Sequence, residues 1–159
     1  MIDVCMFLVG MLPNGGSLTY NKNYARRAVP RVQACLELAD TAKKEGADVH
    51  LVLALAARES GFVTGLTSRA GAVSVMGIIP KYCRTASGKK CRTAEDNRQH
   101  GIRYITQLTQ QYDTCTALAK YNAGNAGACE GVGGAYAEDV IETYEKLCYV
   151  FGGERCYAC

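Results

Sequence analysis

Hydrophobic residues recur along much of this chain at spacings of three and four, which is the period of α-helices that bury one face. The first apolar run, residues 4–12, is too short to cross a membrane, and we expect it to pack against a core. A connector is predicted over residues 13–24, with a helix beginning near Pro30. Asp48 is then placed to cap a helix whose residues 49–57 are apolar almost all round, which is typical of a helix at the centre of a domain.

The second half of the chain changes from an irregular segment to further helices. Residues 62–92 are rich in Gly and in small polar residues, which favours a long irregular or partly helical segment around a site. Helices are predicted after it over residues 93–112, 114–121 and 135–151. Five main helices are predicted, and apolar and polar residues rarely alternate as they do in β-strands, so the pattern indicates a mainly α fold.

Length and composition narrow the class of protein. The 159 residues suffice for one domain with its own core, and 48% apolar with 21% charged residues excludes a disordered chain. We therefore expect a single domain over residues 1–159. A net charge of +3 is too small for a dedicated nucleic-acid binder, although it favours a polyanionic surface such as a bacterial wall. No basic start precedes the first apolar run, so an export leader is not predicted. The run is also shorter than the roughly 20 residues that a membrane span needs, so a span is not predicted either.

Nine cysteines are many for a protein kept in a reducing compartment, and they suggest disulfides made in an oxidising one. Cys83 and Cys91 are the best local pair, because a Ser-Gly turn between them can fold the loop back. For Cys35, Cys115 and Cys148, a buried unpaired thiol remains a strong alternative. A zinc site is disfavoured, since the only Cys-x-x-Cys spacing lies at the C-terminus.

The loop between Cys83 and Cys91 is basic. Arg84, Lys89 and Lys90 lie within it, and Arg92 follows it directly. A solvated loop is the ordinary interpretation of such a cluster, and binding to an anionic wall is the alternative.

Glu59 is the most informative polar residue of the chain. It stands three residues after Ala56 and four after Leu55, so it shares their face at the end of the most apolar helix. Gly61 ends that helix, which leaves the carboxyl group half in the core and half at a cleft. Burial there raises the pKa of a carboxyl group, as a general acid near neutral pH requires. The alternatives are a carboxylate neutralised by Arg58 or one that points into solvent.

Three motifs follow one another in the sequence: ARESGF at 57–62, SRAGAVSVMGIIP at 68–80 and ALAKYNAG at 117–124. Together they resemble the catalytic domain of the soluble lytic transglycosylases, relatives of goose-type lysozyme. The resemblance extends over residues 31–150 and implies a lysozyme-like domain preceded by an N-terminal extension over residues 1–24.

The resemblance also implies roles for individual residues. Glu59 takes the place of the catalytic acid. Ser68, nine residues later, is expected to contact the substrate or Glu59, and Met76 to pack in the core and form a wall of the cleft. Tyr121 is expected with its hydroxyl near Glu59, and Asn122 takes the next position of that motif in the substrate site.

Two departures from the family pattern are visible. Where the family has Gly-Leu-Met-Gln, this chain has Ser74-Val75-Met76-Gly77, so Gly77 replaces the glutamine that commonly lines the sugar site. The cysteine-closed loop is not a family feature either. Glu142 matches a family glutamate only loosely and is interpreted as part of a solvated helix face.

The implied reaction is cleavage of peptidoglycan between N-acetylmuramic acid and N-acetylglucosamine. The sequence contains no Asp or Glu between Glu59 and Glu95, so a second carboxyl group is missing where lysozyme-type hydrolases commonly have one. We therefore expect lytic transglycosylation, which gives a 1,6-anhydro-muramoyl product with one carboxyl group and without cofactor or metal. The expected partner is the glycan strand, not nucleic acid, and the protein is expected to be a monomer.

Three alternatives stay open at this point. A hydrolytic muramidase or chitinase on the same fold would use Glu95 or Asp96 as the base for water. A wall-binding or structural module would keep the fold without the chemistry, and a small secreted effector would use the cysteines as a framework. The substrate predicts action in the periplasm or cell wall, with delivery by a phage virion, at phage lysis, or as a bacterial secretion accessory.

Overall fold

The computed structural model describes residues 1–12 and 22–152, and in these ranges the protein is mainly helical, as predicted. Only isolated β-bridges accompany the helices in the described part. The helices are α1 (Ile2–Met11), α2 (Lys22–Lys44), α3 (Val49–Ser60), α4 (Ala94–Gln111), α5 (Thr114–Ala123) and α6 (Gly134–Phe151), with a short 3₁₀ turn at Gly124–Ala126.

Helix α3 lies at the centre of the fold. The Asp48 carboxylate accepts a hydrogen bond from the Leu51 amide at 3.1 Å, which caps the helix as the sequence predicts. The side chains from Leu51 to Ala56 are all buried, and α1, α2 and α6 pack around them. Gly61 ends the helix in the left-handed conformation, with φ +55°. The most apolar stretch of the chain therefore carries Glu59 out of the core on its last turn.

The start of α2 corrects the predicted boundary. The helix begins at Lys22, so Pro30 lies inside it and does not begin it. An interior proline removes one helix hydrogen bond, and its ring crowds the carbonyl group four residues earlier. A long helix tolerates this cost when its other residues pack well. The fully buried residues of α2 whose side chains are described follow Pro30 and include Ala34, Cys35 and Leu38. Residues 22–24 of the predicted connector are thus helical. The rest of the connector, residues 13–21, lies outside the described ranges.

The remaining elements follow their local signals closely. Thr93 and Asp96 form a complete capping box at the start of α4, and Asp113 caps α5 through the Thr116 amide at 2.9 Å. Residues 4–12 contribute Val4, Leu8 and Val9, on the buried face of α1, to the core. None of the described helices is both long enough and apolar enough to cross a membrane.

Residues 61–93 form the irregular segment that the glycine pattern predicts. Short bridges pair Val73 with Thr67 and with Ile78, and Arg84 pairs with Lys90 in a small hairpin. The Cys83–Cys91 disulfide closes this hairpin. The segment therefore wraps from the end of α3 to the start of α4 without a sheet among the described residues.

Disulfides account for more of the cysteines than the sequence interpretation allowed. The Cys83–Cys91 pairing is confirmed, whereas the interpretation of Cys35, Cys115 and Cys148 as unpaired thiols is wrong. Cys35 bonds to Cys5 and joins α1 to α2, Cys115 bonds to Cys129, and Cys148 is also disulfide-bonded. Helical spacing made these thiols look like ordinary core residues, because it carries no information about which helices come together. The C-terminal Cys-x-x-Cys spacing, which was weighed as a zinc site and disfavoured, lies outside the described residues.

Candidate active site

Glu59 lies on the last turn of α3, half-buried where the helix meets the loop. Burial is the main influence on its carboxyl group and raises its pKa, because removing water penalises the charged form. A hydrogen bond from Tyr136 and the positive charge of Arg58 act in the opposite direction. The carboxyl group can therefore hold a proton at a higher pH than an exposed glutamate and still be stabilised once it ionises.

Tyr136 is the direct partner of this carboxyl group. Its hydroxyl donates a hydrogen bond to Oε1 of Glu59 from the first turn of α6. The guanidinium of Arg58 lies over the Tyr136 ring, with 5.3 Å from Cζ to the ring centroid, and its Nε donates to Asp139 at 3.0 Å. Burial and the negative charge of Glu59 raise the pKa of Tyr136, so its hydroxyl stays protonated and remains a donor.

A tight turn at residues 74–77 lies against the other carboxyl oxygen. Gly77 has φ +63°, and a Cβ built on it would be 2.0 Å from Oε2 of Glu59. The amide of Gly77 donates to the Ser74 carbonyl, and Ser74 itself has φ +69°. The room that a side chain would need at position 77 is thus occupied by the carboxyl group of Glu59.

Ser60 ties this turn to the end of α3. Its hydroxyl donates to the Val75 carbonyl at 2.9 Å and accepts a hydrogen bond from the Phe62 amide at 3.1 Å. Both contacts are buried. The turn and the helix end that carries Glu59 therefore form one hydrogen-bonded unit.

Met76 and Tyr121 form the layer beneath the turn. Met76 is fully buried, and the hydroxyl of Tyr121 donates to its carbonyl at 2.8 Å. Gly101 on α4 allows this approach, because a Cβ there would be 2.7 Å from Cβ of Met76 and 3.0 Å from the Tyr121 oxygen. Burial first, and the negative charge of Glu59 second, raise the pKa of Tyr121. Tyr121 is thus within electrostatic range of Glu59, but its hydrogen bond goes to the Met76 backbone.

Two of the predicted site residues, Ser68 and Asn122, make no hydrogen bond to the described residues around Glu59. Ser68 is exposed in a loop turn, where its hydroxyl accepts a hydrogen bond from the Ala72 amide at 3.1 Å. Asn122 is exposed near the end of α5. In the described residues, neither side chain hydrogen-bonds to Glu59.

The other carboxylates that were considered have structural partners. Asp96 accepts from the amides of Arg92 and Thr93, and these hydrogen bonds lower its pKa. Glu95 pairs with Arg98 at 2.6 Å. Glu142 pairs with Lys146 at 2.6 Å on the exposed face of α6, in agreement with its interpretation as part of a solvated helix face. Within residues 1–12 and 22–152, no group of three or more His, Cys, Asp or Glu is arranged to hold a metal ion.

Tyr136 is the site residue that the sequence interpretation missed. It stands four residues before Val140 and therefore on the inward face of α6, which was a usable signal. An inward tyrosine is usually a core residue, however, and only the packing of α6 on α3 shows that its hydroxyl meets a carboxyl group.

A comparison with protein families identifies one match that covers well over half of the chain. The family model described as Transglycosylase SLT domain matches residues 38–141. The matched range includes Glu59, the 74–77 turn, Tyr121 and Tyr136 and leaves out α1. The mainly helical architecture agrees with the lysozyme-like fold of such domains.

Proposed function

Because this chain belongs to the transglycosylase SLT domain family, we propose that it is a peptidoglycan lytic transglycosylase that uses Glu59 as its single acid and base. The bond to be cleaved is the β-1,4 bond from N-acetylmuramic acid to N-acetylglucosamine. The product is a 1,6-anhydro-muramoyl end.

The observation that carries this proposal is the environment of Glu59. Its carboxyl group is half-buried at the end of a central helix, with its pKa raised by burial and with a tyrosine hydroxyl donating to one oxygen. A general acid must be protonated at the working pH, which burial favours. Its conjugate base must also be tolerated within the same cycle, which the hydroxyl of Tyr136 and the charge of Arg58 favour.

The proposed reaction needs no second carboxyl group. Glu59 gives its proton to the glycosidic oxygen as the bond from that oxygen to the muramoyl C1 breaks. The N-acetyl group of the same sugar stabilises the developing charge at C1, as in other substrate-assisted glycosidases. The Glu59 carboxylate then takes the proton of the muramoyl 6-hydroxyl while O6 bonds to C1. No water enters, and Glu59 ends the cycle protonated as it began.

Intramolecular attack draws on proximity, because the nucleophile is already attached to the sugar that reacts. The rest of the site supports this scheme by holding one carboxyl group in place. Tyr136 orients Oε1, the 74–77 turn lies against Oε2, and Tyr121 holds that turn through the Met76 carbonyl. We propose Tyr121, Asn122 and Ser68 as the substrate-side residues that accompany Glu59, as the family resemblance implies. Met76, which the resemblance also places at the cleft, is fully buried and supports the turn from the core.

Hydrolysis is the competing function on this fold, and it requires a base for water. The two candidates, Glu95 and Asp96, are held by Arg98 and by the cap of α4. A carboxylate whose pKa is lowered by backbone amides is a poor base. These contacts favour transglycosylation over hydrolysis.

The mass of the released muropeptides tests the proposal. Digestion of purified peptidoglycan should give anhydro-muramoyl ends, and products heavier by one water would reject transglycosylation. Glu59→Gln should keep the fold by circular dichroism and lose turnover. Glu142→Gln, which removes an exposed carboxylate on α6, is the matched control and should keep full activity. An intact wild-type fold without any turnover would instead support a wall-binding module.

The site of action follows from the substrate. Peptidoglycan lies outside the cytoplasmic membrane, so the protein is proposed to act in the periplasm or the cell wall. The three located disulfides agree with an oxidising compartment. Delivery by a phage virion or at lysis remains a prediction.

A further inference from the structure

The Cys115–Cys129 disulfide closes the connection between the two helices that place tyrosines near Glu59. Cys115 is on the first turn of α5, the helix that carries Tyr121. Cys129 lies in the connection from α5 to α6, and Tyr136 is on the first turn of α6. The bond therefore fixes the segment that determines where α6 starts relative to α5.

Cys129 lies in a tight turn over residues 128–132, named here the Cys129 turn. The Ala128 amide donates to the Val132 carbonyl at 3.0 Å across it. The other residues of the turn are exposed, and Cys129 itself is half-buried. Burial of apolar surface therefore does little to hold this turn, and the disulfide is its covalent anchor to α5.

The Cys129 turn contacts the first residue of α6. A Cβ built on Gly134 would lie 2.1 Å from the Cys129 carbonyl oxygen, so the two backbones touch there. Gly133, which precedes the helix, has φ +86° and supplies no side-chain cap. The first amides of a helix have no partners within it, so an uncapped first turn depends on what packs against it. Tyr136 lies on this first turn and donates to Glu59 from it.

Of the three located disulfides, this bond is the most open to solvent. Neither Cys115 nor Cys129 is fully buried, whereas Cys5 and Cys35 both are, and Cys83 is only 1% exposed. Exchange with a thiol requires that the attacking thiolate reach one of the two sulfur atoms. Among the three bonds, a reductant should therefore open this one first.

We propose that the Cys115–Cys129 disulfide positions the hydroxyl of Tyr136 on Glu59, so that the oxidised chain is the active form and reduction of this bond slows it. The inference rests on the proposed function and adds redox control to its site. A dithiol reductant transfers two electrons and two protons to the bond, which gives thiols at Cys115 and Cys129 and a disulfide in the reductant. The first turn of α6 is then held by noncovalent contacts alone, and Tyr136 donates to Glu59 for less of the time.

The groups around Glu59 make this loosening measurable. The hydroxyl of Tyr136 and the charge of Arg58 lower the pKa of Glu59, against the larger effect of burial, which raises it. Tyr121 of α5 faces the same carboxyl group, and Asp139 of α6 pairs with Arg58. Of these groups, Tyr136 alone lies on the first turn of α6. Loosening that turn removes one contribution that lowers the pKa, so the pKa of Glu59 should rise.

Carbon-13 nuclear magnetic resonance of the Glu59 carboxyl group tests the inference without any turnover. The full chain is labelled at the glutamate Cδ atoms, and the signal of Glu59 is assigned by its loss in Glu59→Gln. We expect the pKa of Glu59 to be higher in the double variant Cys115→Ser/Cys129→Ser than in the oxidised wild type. The rise should not exceed the one that Tyr136→Phe causes. An unchanged pKa in the double variant would overturn the proposal.

The hairpin disulfide supplies the matched control. Cys83→Ser/Cys91→Ser also removes one bond that closes a short loop, and it should lose a comparable amount of thermal stability. It should keep the wild-type pKa of Glu59 and the wild-type rate of muropeptide release. Cys115→Ser/Cys129→Ser should release muropeptides about threefold to tenfold more slowly, which is the range that one hydrogen bond supports. Equal changes in both double variants would indicate general destabilisation and refute the positioning role.

Titration of the wild-type protein with dithiothreitol supplies a test that needs no variant. Thiols that form at each concentration are alkylated and located by peptide mass spectrometry. We expect Cys115 and Cys129 to be alkylated before the cysteines of the other two located bonds, with the rate of muropeptide release falling about threefold to tenfold in step. Full alkylation of this pair without a loss of rate would contradict the redox control.

The two kinds of measurement separate this inference from the proposed function. If the pKa of Glu59 responds to the Cys115–Cys129 bond in a protein without any turnover, the positioning of Tyr136 is supported and the enzymatic assignment is refuted. Release of anhydro-muramoyl products at a rate that does not depend on this bond would refute the redox control alone.

Discussion

Replacing Gly77 by alanine tests how strictly the site positions Glu59. The added Cβ would lie 2.0 Å from Oε2 and 2.8 Å from Cδ of Glu59. Favourable contacts to a carbon atom begin at about 3.5 Å, so the carboxyl group must move by more than about 1 Å. That movement also pulls Oε1 away from the hydroxyl of Tyr136, which is its hydrogen-bond donor.

The expected loss can be divided into a backbone part and a site part. A left-handed backbone with a Cβ costs about 1–2 kcal/mol of stability, which Gly77→Ala incurs because of its φ of +63°. A misplacement of about 1 Å at the reacting group costs about 10²-fold in rate. We therefore expect Gly77→Ala to be moderately destabilised and about a hundredfold slower in releasing muropeptides.

Gly71→Ala supplies the matched control. Gly71 lies in the same loop with φ +79°, and nothing lies within 4 Å of its added Cβ. It should show the same loss in the free energy of unfolding, measured by urea denaturation, with turnover near that of the wild type. Equal turnover of Gly77→Ala and Gly71→Ala would refute the argument that the bare backbone at position 77 positions the carboxyl group.

Three further predictions concern the acid, its donor and the hairpin. Burial raises the pKa of Glu59 in the folded state, so ionisation of this carboxyl group opposes folding. Glu59→Gln should therefore be more stable than the wild type at neutral pH. Urea denaturation measured across pH should show that this gain in stability vanishes below about pH 4. Tyr136→Phe removes a donor that lowers the pKa of Glu59, so the alkaline limb of the pH–rate profile should move to higher pH while the rate falls about tenfold; an unmoved limb would contradict the assignment. Replacing both Cys83 and Cys91 by serine should cost about 2–3 kcal/mol of stability, and an unchanged thermal midpoint would show that the hairpin holds without its bond.

Local signals were sufficient for most of the fold. The caps of α3, α4 and α5 are side chains that bond to amides three residues away, so a sequence alone reveals them. Pro30 is the exception. Proline is compatible with a helix start, but whether a helix extends upstream of it depends on what the rest of that helix packs against, which no local pattern shows.

The candidate site also has parts that the sequence predicts and parts that depend on tertiary packing. Glu59 was predictable, because its place on the apolar face of the central helix follows from periodicity. Tyr136 was not, because it is far from Glu59 in the chain and resembles an ordinary inward tyrosine. The hydrogen-bond partner of Tyr121 was not predictable either, because it depends on tertiary packing: the hydroxyl donates to the Met76 carbonyl and not to Glu59.

The amino-acid sequence by itself determined the helices, the family resemblance and the position of one carboxyl group at the end of an apolar helix. Each of these depends on residues that are close together in the chain. Tertiary structure alone decided which cysteines pair, which hydroxyl meets Glu59 and why position 77 has no side chain. Those outcomes depend on distances between elements remote in sequence, here on the packing of α6 and the 74–77 turn against the end of α3.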